Sequence, residues 1–319
     1  MRISLLGGGT DFPIFFKKNG FGCVLSTTID KYIYVGIKKH GELFKENYRL
    51  NYSSTEAVSK LDKIRNDIIR EALKFLKIKE KIYISTVSDI PANNGLGSSS
   101  AFCVGLLKGL YHYKGIKRDL YSIANEAVSI EKDIIGKKVG LQDHFASAYG
   151  GFNYIKFYKN KIVLKKFLND KIIKNIMKNH CFYFTNKFRK AESILKNQVE
   201  EFKRNEDNLL KIRDITLEGY KNLNNKNYNK FFFLIDKSWN EKKKLTKKIS
   251  NNKINEVYNK CIKIGAYSGK ISGAGGGGFL NIFAKPSLHK KIDKVMSNVG
   301  YKKQKISFEN SGTISFKVE

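Results

Sequence analysis

Two acidic residues, Glu131 and Asp143, and a glycine–serine loop, "NNGLGSSS" at residues 93–100, are the parts of this chain best suited to chemistry. The loop suits an anion. Gly95 and Gly97 let the backbone approach a phosphate closely, and Ser98, Ser99 and Ser100 add hydroxyls for phosphate or metal. The plainer role for one of these serines is to cap the helix that follows. Glu131 falls on the apolar face of a helical pattern, between Ala127 and Ile134. An inward carboxylate is costly unless a cation or donors meet it. It reads either as half of a buried ion pair or as a Mg²⁺ ligand, since Mg²⁺ takes one or two carboxylates plus nucleotide phosphates. Asp143 stands where a short helix over residues 145–149 should begin, so it is either a cap or a catalytic group. Its neighbour His144 invites a triad reading, but no separate serine elbow and oxyanion sequence accompany it.

These residues need elements to place them. Upstream of the loop, "KIYISTVSDIP" alternates as a strand, with Ile82, Ile84 and Thr86 on one face. Downstream, Phe102, Val104, Leu106, Leu107 and Leu110 mark a helix, with Gly105 and Gly109 one turn apart. The loop is therefore a strand-to-helix turn, where free N–H groups and the positive helix end face an anion. It is not a Walker A loop, which ends in Gly-Lys-Ser/Thr. It is not a dinucleotide fingerprint either, because Ser100 stands where Gly or Ala belongs. Further along, "CVLSTTIDKYIYVGIKK" reads as one long strand or two, and "VSKLDKIRNDIIREALKFL" as a helix. The pattern is mostly helical from about residue 194 to 264, and "GGFLNIFAK" and "GTISFKV" read as strands. The change of character falls near residue 160. A second glycine run, "GKISGAGGGGF", and the N-terminal "RISLLGGGTDF" suggest three glycine-rich turns around one pocket.

Composition bounds the function. With 319 residues and 41% hydrophobic content, the chain can build one large or two medium cores. The net charge of +31 comes mainly from lysine spread through the sequence, without the arginine clusters and interleaved aromatics of a nucleic-acid groove. No nucleic-acid partner is expected, although the charge should attract phosphorylated small molecules. The four scattered cysteines suit a reducing compartment, and no apolar run is long enough for a membrane. A cytoplasmic protein without a membrane partner is the expectation.

In order, "RISLLGGGTDF", "PANNGLGSSSA" and "KISGAGGGGF" resemble the three motifs of the GHMP kinases, the superfamily of galactokinase, homoserine kinase, mevalonate kinase and phosphomevalonate kinase. "LSTTIDKYIYV", "VGLQDHFASAYGGFN" and "SWNEKKKL" are similar to its heptose 7-phosphate kinase branch, and the resemblance covers nearly the whole chain. There are departures. The sequence starts at Met1-Arg2 without the usual preceding strand residues, Ser100 replaces a more usual alanine, and Asn186 stands where glycine is expected.

The resemblance implies an α+β fold. An N-terminal domain of the ribosomal protein S5 domain 2-like type over residues 1–160 would precede a ferredoxin-like domain over residues 161–319. It implies an ATP-dependent sugar kinase using Mg²⁺, monomeric or homodimeric, that phosphorylates the anomeric hydroxyl of a heptose 7-phosphate. Fucose, galactose or an N-acetylhexosamine are the alternative acceptors. Gly95, Leu96, Gly97, Ser98, Ser99 and Ser100 would bind ATP, and Ser99 with Glu131 would hold Mg²⁺. Asp143 would deprotonate the sugar hydroxyl, with Arg2 balancing its charge. Gly8, Gly9, Thr10 and Asp11 would meet the sugar, and Gly275, Gly276 and Gly277 would close over it. Arg189, Lys242 and Lys243 would grip the acceptor phosphate.

Overall fold

The computed structural model describes residues 1–188 and 191–318. Its strands form three four-stranded sheets. The first joins β1 (Arg2–Leu6), β2 (Phe21–Thr28), β7 (Phe152–Tyr158) and β8 (Ile162–Phe167), all antiparallel. The second runs β3 (Ile33–Lys39), β6 (Ile82–Ser88), β4 (Tyr48–Asn51), β5 (Thr55–Val58), with β4 parallel to β6. The third runs β10 (Ser268–Ile271), β11 (Phe279–Phe283), β9 (His180–Phe184), β12 (Lys302–Lys303). The helices are α1 (Pro13–Lys18), α2 (Asp67–Phe75), α3 (Ser98–Tyr113), α4 (Leu120–Val128), α5 (Gln142–Tyr149) and α6 (Asp170–Lys178). They continue as α7 (Ala191–Glu200), α8 (Phe202–Asn224), α9 (Tyr228–Lys244), α10 (Asn252–Ile264) and α11 (His289–Asn298). Helices and sheets are thus mixed as an α+β fold requires.

The strand before the glycine–serine loop and the helix after it form where the alternation and the apolar spacing put them. Helix α3 packs on β3 because Gly109 leaves room: a Cβ there would stand 2.8 Å from Ile37 Cδ1. β1 is buried along its whole length and paired to β2. Of the two readings of the stretch from Cys23, the pair holds: it forms β2 and β3, in different sheets.

Three expectations are corrected. The helix predicted from Val58 is confined to α2, because Asn66 takes the N–H of Ile69 as its cap and the chain before it goes to β5 and a 3₁₀ turn. "GTISFKV" is not a strand: it belongs to no sheet, Thr313 donates to the Ala148 carbonyl at the end of α5, and Ile314, Phe316 and Val318 are exposed. The apolar face drawn through Ile134 also fails. Helix α4 runs into a π-helical turn, Ser129–Ile134, in which Ile135 donates to the Ile130 carbonyl. The wider turn rotates later side chains, so Ile130 is buried and Ile134 is exposed.

Residue 160 falls in the turn of the β7–β8 hairpin, and the first strand of the third sheet is β9. The end of the chain then returns to the first half, where Phe308 bridges Ile29 and Thr28 donates to the Glu309 carbonyl. Asn186 adopts φ +54°, a conformation that favours glycine and that asparagine tolerates.

Candidate active site

Gly97, at φ +72°, is the N-cap of α3 and turns the chain from the loop into the helix. A Cβ at this position would lie 3.1 Å from the Asp143 carboxyl carbon, so the loop backbone rests against that carboxylate. Asp143 sits in the first turn of α5 but caps nothing there. Both its oxygens instead meet the buried Arg2 of β1, with Nε donating at 2.6 Å and Nη2 at 2.7 Å. The third arm, Nη1, donates to the Gly95 carbonyl at 2.8 Å, and the Arg2 N–H donates to the Leu96 carbonyl. One guanidinium therefore ties the first motif, the phosphate-type loop and the candidate base together. The Asp143 side chain keeps 22% of its surface exposed, enough to meet a substrate hydroxyl.

Glu131 is fully buried at the other side of the loop. Ser99 Oγ donates to one of its oxygens, while Ser100 Oγ and His144 Nε2 contact the other at 2.8 Å. Lys137 lies 3.8 Å away. Burial alone would raise this carboxyl, but the His144 hydrogen bond and charge, Ser99 and Lys137 outweigh it and bring it down to about 2. Glu131 is thus an anion beside the loop. Asp143 and His144 are neighbours on α5 yet face opposite partners, the first Arg2 and the second Glu131. Sequence reasoning noticed His144 only as a failed triad member; the signal was adjacency, which on a helix turns two side chains about 100° apart.

The first loop is built differently. Asp11 is buried and accepts from the backbone N–H of Gly9 at 2.9 Å and of Gln142 at 3.2 Å. Burial raises its pKa, opposed by those N–H groups and reinforced by nearby Asp143. The Thr10 hydroxyl is spent on the backbone of Gly7 and Cys23 and has no exposure. Leu96 is similarly withdrawn, since its side chain is buried and its N–H donates to Asn94 Oδ1. Among the expected loop contacts, Thr10 and Leu96 therefore serve the backbone.

The third loop closes on the second. A Cβ at Gly273 would lie 2.5 Å from the Gly95 carbonyl oxygen, and one at Gly278 would lie 2.1 Å from that of Asn94. Gly276 donates to Ile249 and Gly278 to Lys187 through their backbones. Lys242 is buried in α9, with Nζ donating to the Gly273 carbonyl at 2.7 Å and lying 3.2 Å from a Cβ built on Gly8. Lys243 points elsewhere, its ammonium 5.7 Å from the Tyr258 ring centroid. Arg189 lies outside the described residues.

Serine hydroxyls and a carboxylate are hard oxygen donors of the kind Mg²⁺ prefers. Glu131 fits such an ion as a single anchoring carboxylate, which a phosphate chain would have to complete; among the described residues no three acidic, histidine or cysteine side chains are grouped so that they could hold a metal ion by themselves.

The family profiles for the GHMP kinases N terminal domain and the GHMP kinases C terminal match residues 66–151 and 220–302. D-glycero-alpha-D-manno-heptose 7-phosphate kinase of Campylobacter jejuni is 30% identical over 331 residues, covering all of this chain and 97% of that protein. The chain belongs to the GHMP kinases. A GHMP kinase is an ATP-dependent phosphotransferase, and the loop, Glu131 and Asp143 lie within or beside the matched N-terminal region. Mevalonate kinase of Methanocaldococcus jannaschii is 28% identical over 233 residues, 72% of this chain and 70% of that one. The crystal structure of a D-glycero-D-manno-heptose 1-phosphate kinase from Bacteroides thetaiotaomicron superposes with a TM-score of 0.80 at 21% identity, over 100% of this GHMP kinase and 97% of that chain. No helix among the described residues is long and apolar enough to cross a membrane.

Proposed function

We propose that this GHMP kinase transfers the γ-phosphoryl group of ATP to the anomeric hydroxyl of D-glycero-D-manno-heptose 7-phosphate, supplying the 1,7-bisphosphate for nucleotide-activated heptose synthesis. The observation that carries the reaction is the Asp143 carboxylate, clamped by Arg2 and resting against Gly97 at the mouth of α3. The full-length similarity to a heptose 7-phosphate kinase supports the acceptor.

The free N–H groups opening α3 would bind the ATP phosphates, with Gly95 and Gly97 allowing close approach. Ser99 and Glu131 would hold Mg²⁺, which when bound neutralises charge on the β- and γ-phosphates. Asp143 takes the proton of the sugar hydroxyl as its oxygen bonds to the γ-phosphorus. The bond from that phosphorus to the β-phosphate oxygen breaks and ADP leaves. Arg2 holds the carboxylate in place through both oxygens, which is positioning rather than proton transfer. Buried Asp11, with Gly8 and Gly9, would meet sugar hydroxyls, and Gly275, Gly276 and Gly277 would close the opposite wall. Lys242 faces this seam and is the better placed of the two adjacent lysines for an acceptor phosphate; Arg189 is the other candidate.

ADP release against heptose 7-phosphate, heptose, fucose, galactose and N-acetylhexosamines tests the acceptor. Heptose 7-phosphate should be preferred, and Arg189→Ala should raise its KM by roughly one to two orders of magnitude while sparing that for ATP. Preference for an unphosphorylated hexose, indifferent to Arg189, would replace the heptose phosphate with that sugar.

A further inference from the structure

Gln142 opens α5 immediately before Asp143, and its backbone N–H is committed to Asp11. Its side chain has no part in the scheme above. All but 8% of the residue is buried, yet its Oε1 has no hydrogen-bond partner, and among the described residues neither has its Nε2. Nε2 points to the first glycine loop, 3.7 Å from where a Cβ on Gly8 would stand. Two more polar groups surround the same point, Lys242 Nζ at 3.2 Å and Ser4 Oγ at 3.5 Å. Ser4 Oγ is also buried and without a partner. Side chains from β1, α5 and α9 thus converge where the loop has none of its own.

An amide buried without partners weakens a fold, because its hydration is lost and nothing replaces it. A methionine of similar volume would avoid that loss. The amide therefore serves something other than stability, and its chemistry narrows what. It offers a neutral donor and a neutral acceptor, and a hydroxyl can meet either end because it both gives and takes a hydrogen bond. Neighbouring hydroxyls of a sugar can satisfy both ends. An ionised phosphate only accepts, and would leave Oε1 unpaired. The corner at Gly8 suits the polyol part of an acceptor.

We propose that Gln142 is a specificity-determining residue that hydrogen-bonds hydroxyls of the sugar acceptor at this corner, where the missing side chain of Gly8 makes room. The proposal deepens the sugar kinase reading and rests on it.

A double cycle between residue and substrate tests it. KM is measured for the wild type and Gln142→Met, with heptose 7-phosphate and with analogues that each lack one hydroxyl. Gln142→Met should raise the acceptor KM about tenfold and leave that for ATP within about twofold. Without ligands it should melt at or above the wild type. At one or two positions, removing a hydroxyl should cost the wild type a similar factor and the variant much less, because the partner is already gone. Gly8→Ala, which puts a methyl in the corner, should raise the acceptor KM as well and spare ATP. A Gln142→Met protein that melts well below the wild type or does not fold overturns the proposal, since that marks a structural amide. So does a cycle in which every hydroxyl costs both proteins equally. If the acceptor panel selects another sugar, the cycle is run on the deoxy analogues of that sugar. The panel then decides against heptose phosphate, and the cycle alone decides for or against Gln142.

Discussion

The second and third glycine loops look alike in sequence and are used in different ways. In the second, the left-handed Gly97 turns the chain into α3 and lays its backbone on Asp143, while Ser99 and Ser100 reach Glu131. Its glycines serve approach to charged groups. In the third, Gly273 and Gly278 lack side chains because the Gly95 and Asn94 carbonyls occupy the space, and Gly275 is pressed against Ile249. Its glycines serve the closing of one loop on another. Glycine runs thus mark close approach, and the neighbours decide whether that means chemistry or packing.

The strongest test of this contrast lies beside the second loop. Asp143→Asn should cut sugar-dependent ADP release by about 10²–10⁴-fold while ATP still binds, because the amide cannot accept the proton. It should also cost about 1–3 kcal/mol in urea unfolding, since buried Arg2 loses its charge partner. Normal turnover would place the base elsewhere.

Glu131→Gln should abolish most turnover at low Mg²⁺; wild-type activity there would make Glu131 a structural acid only. Its pH signature has a definite sign. Because the folded carboxyl is depressed to about 2, it contributes stability that is present above the ordinary carboxylate range near 4.5 and lost as pH falls through about 2. Urea midpoints between pH 6 and pH 2.5 should fall less steeply in the variant.

Two glycine substitutions set the loops directly against each other. Gly97→Ala should lower kcat roughly 10- to 100-fold by displacing Asp143, at about 1–2 kcal/mol for the left-handed backbone. Gly273→Ala should act first on stability, by about 1–3 kcal/mol, because its methyl meets the Gly95 carbonyl. Equal effects on kcat at equal stability would erase the distinction. The smallest contrast is within α9. Lys242→Met should raise the acceptor KM roughly tenfold, whereas Lys243→Met, removing a contact over Tyr258, should leave it within about twofold.

Much of the site was legible before any tertiary structure. Strand, glycine turn and apolar helix are local patterns, so the loop and α3 could be placed from residues 82–110 alone. Glu131 could be read as inward for a similar reason, although the periodic wheel broke down at the π turn, where the spacing changes and Ile130 replaces Ile134 in the core. Asp143 could not be resolved from its neighbours, because cap and catalyst are the same residue type at the same helix position.

What the amino-acid sequence determined by itself was the set of short-range choices: where glycine must permit a turn, which helix faces are apolar, and which acids stand near the loop. Only the tertiary structure decided their partners. Arg2 meets Asp143, His144 backs Glu131, and Lys270 reaches Leu5 because sheets and helices distant in the chain pack together. The physical reason is range. Backbone preferences and periodicity act over one or two turns, whereas the charge and burial that give a side chain its chemistry are set by whatever the fold brings against it.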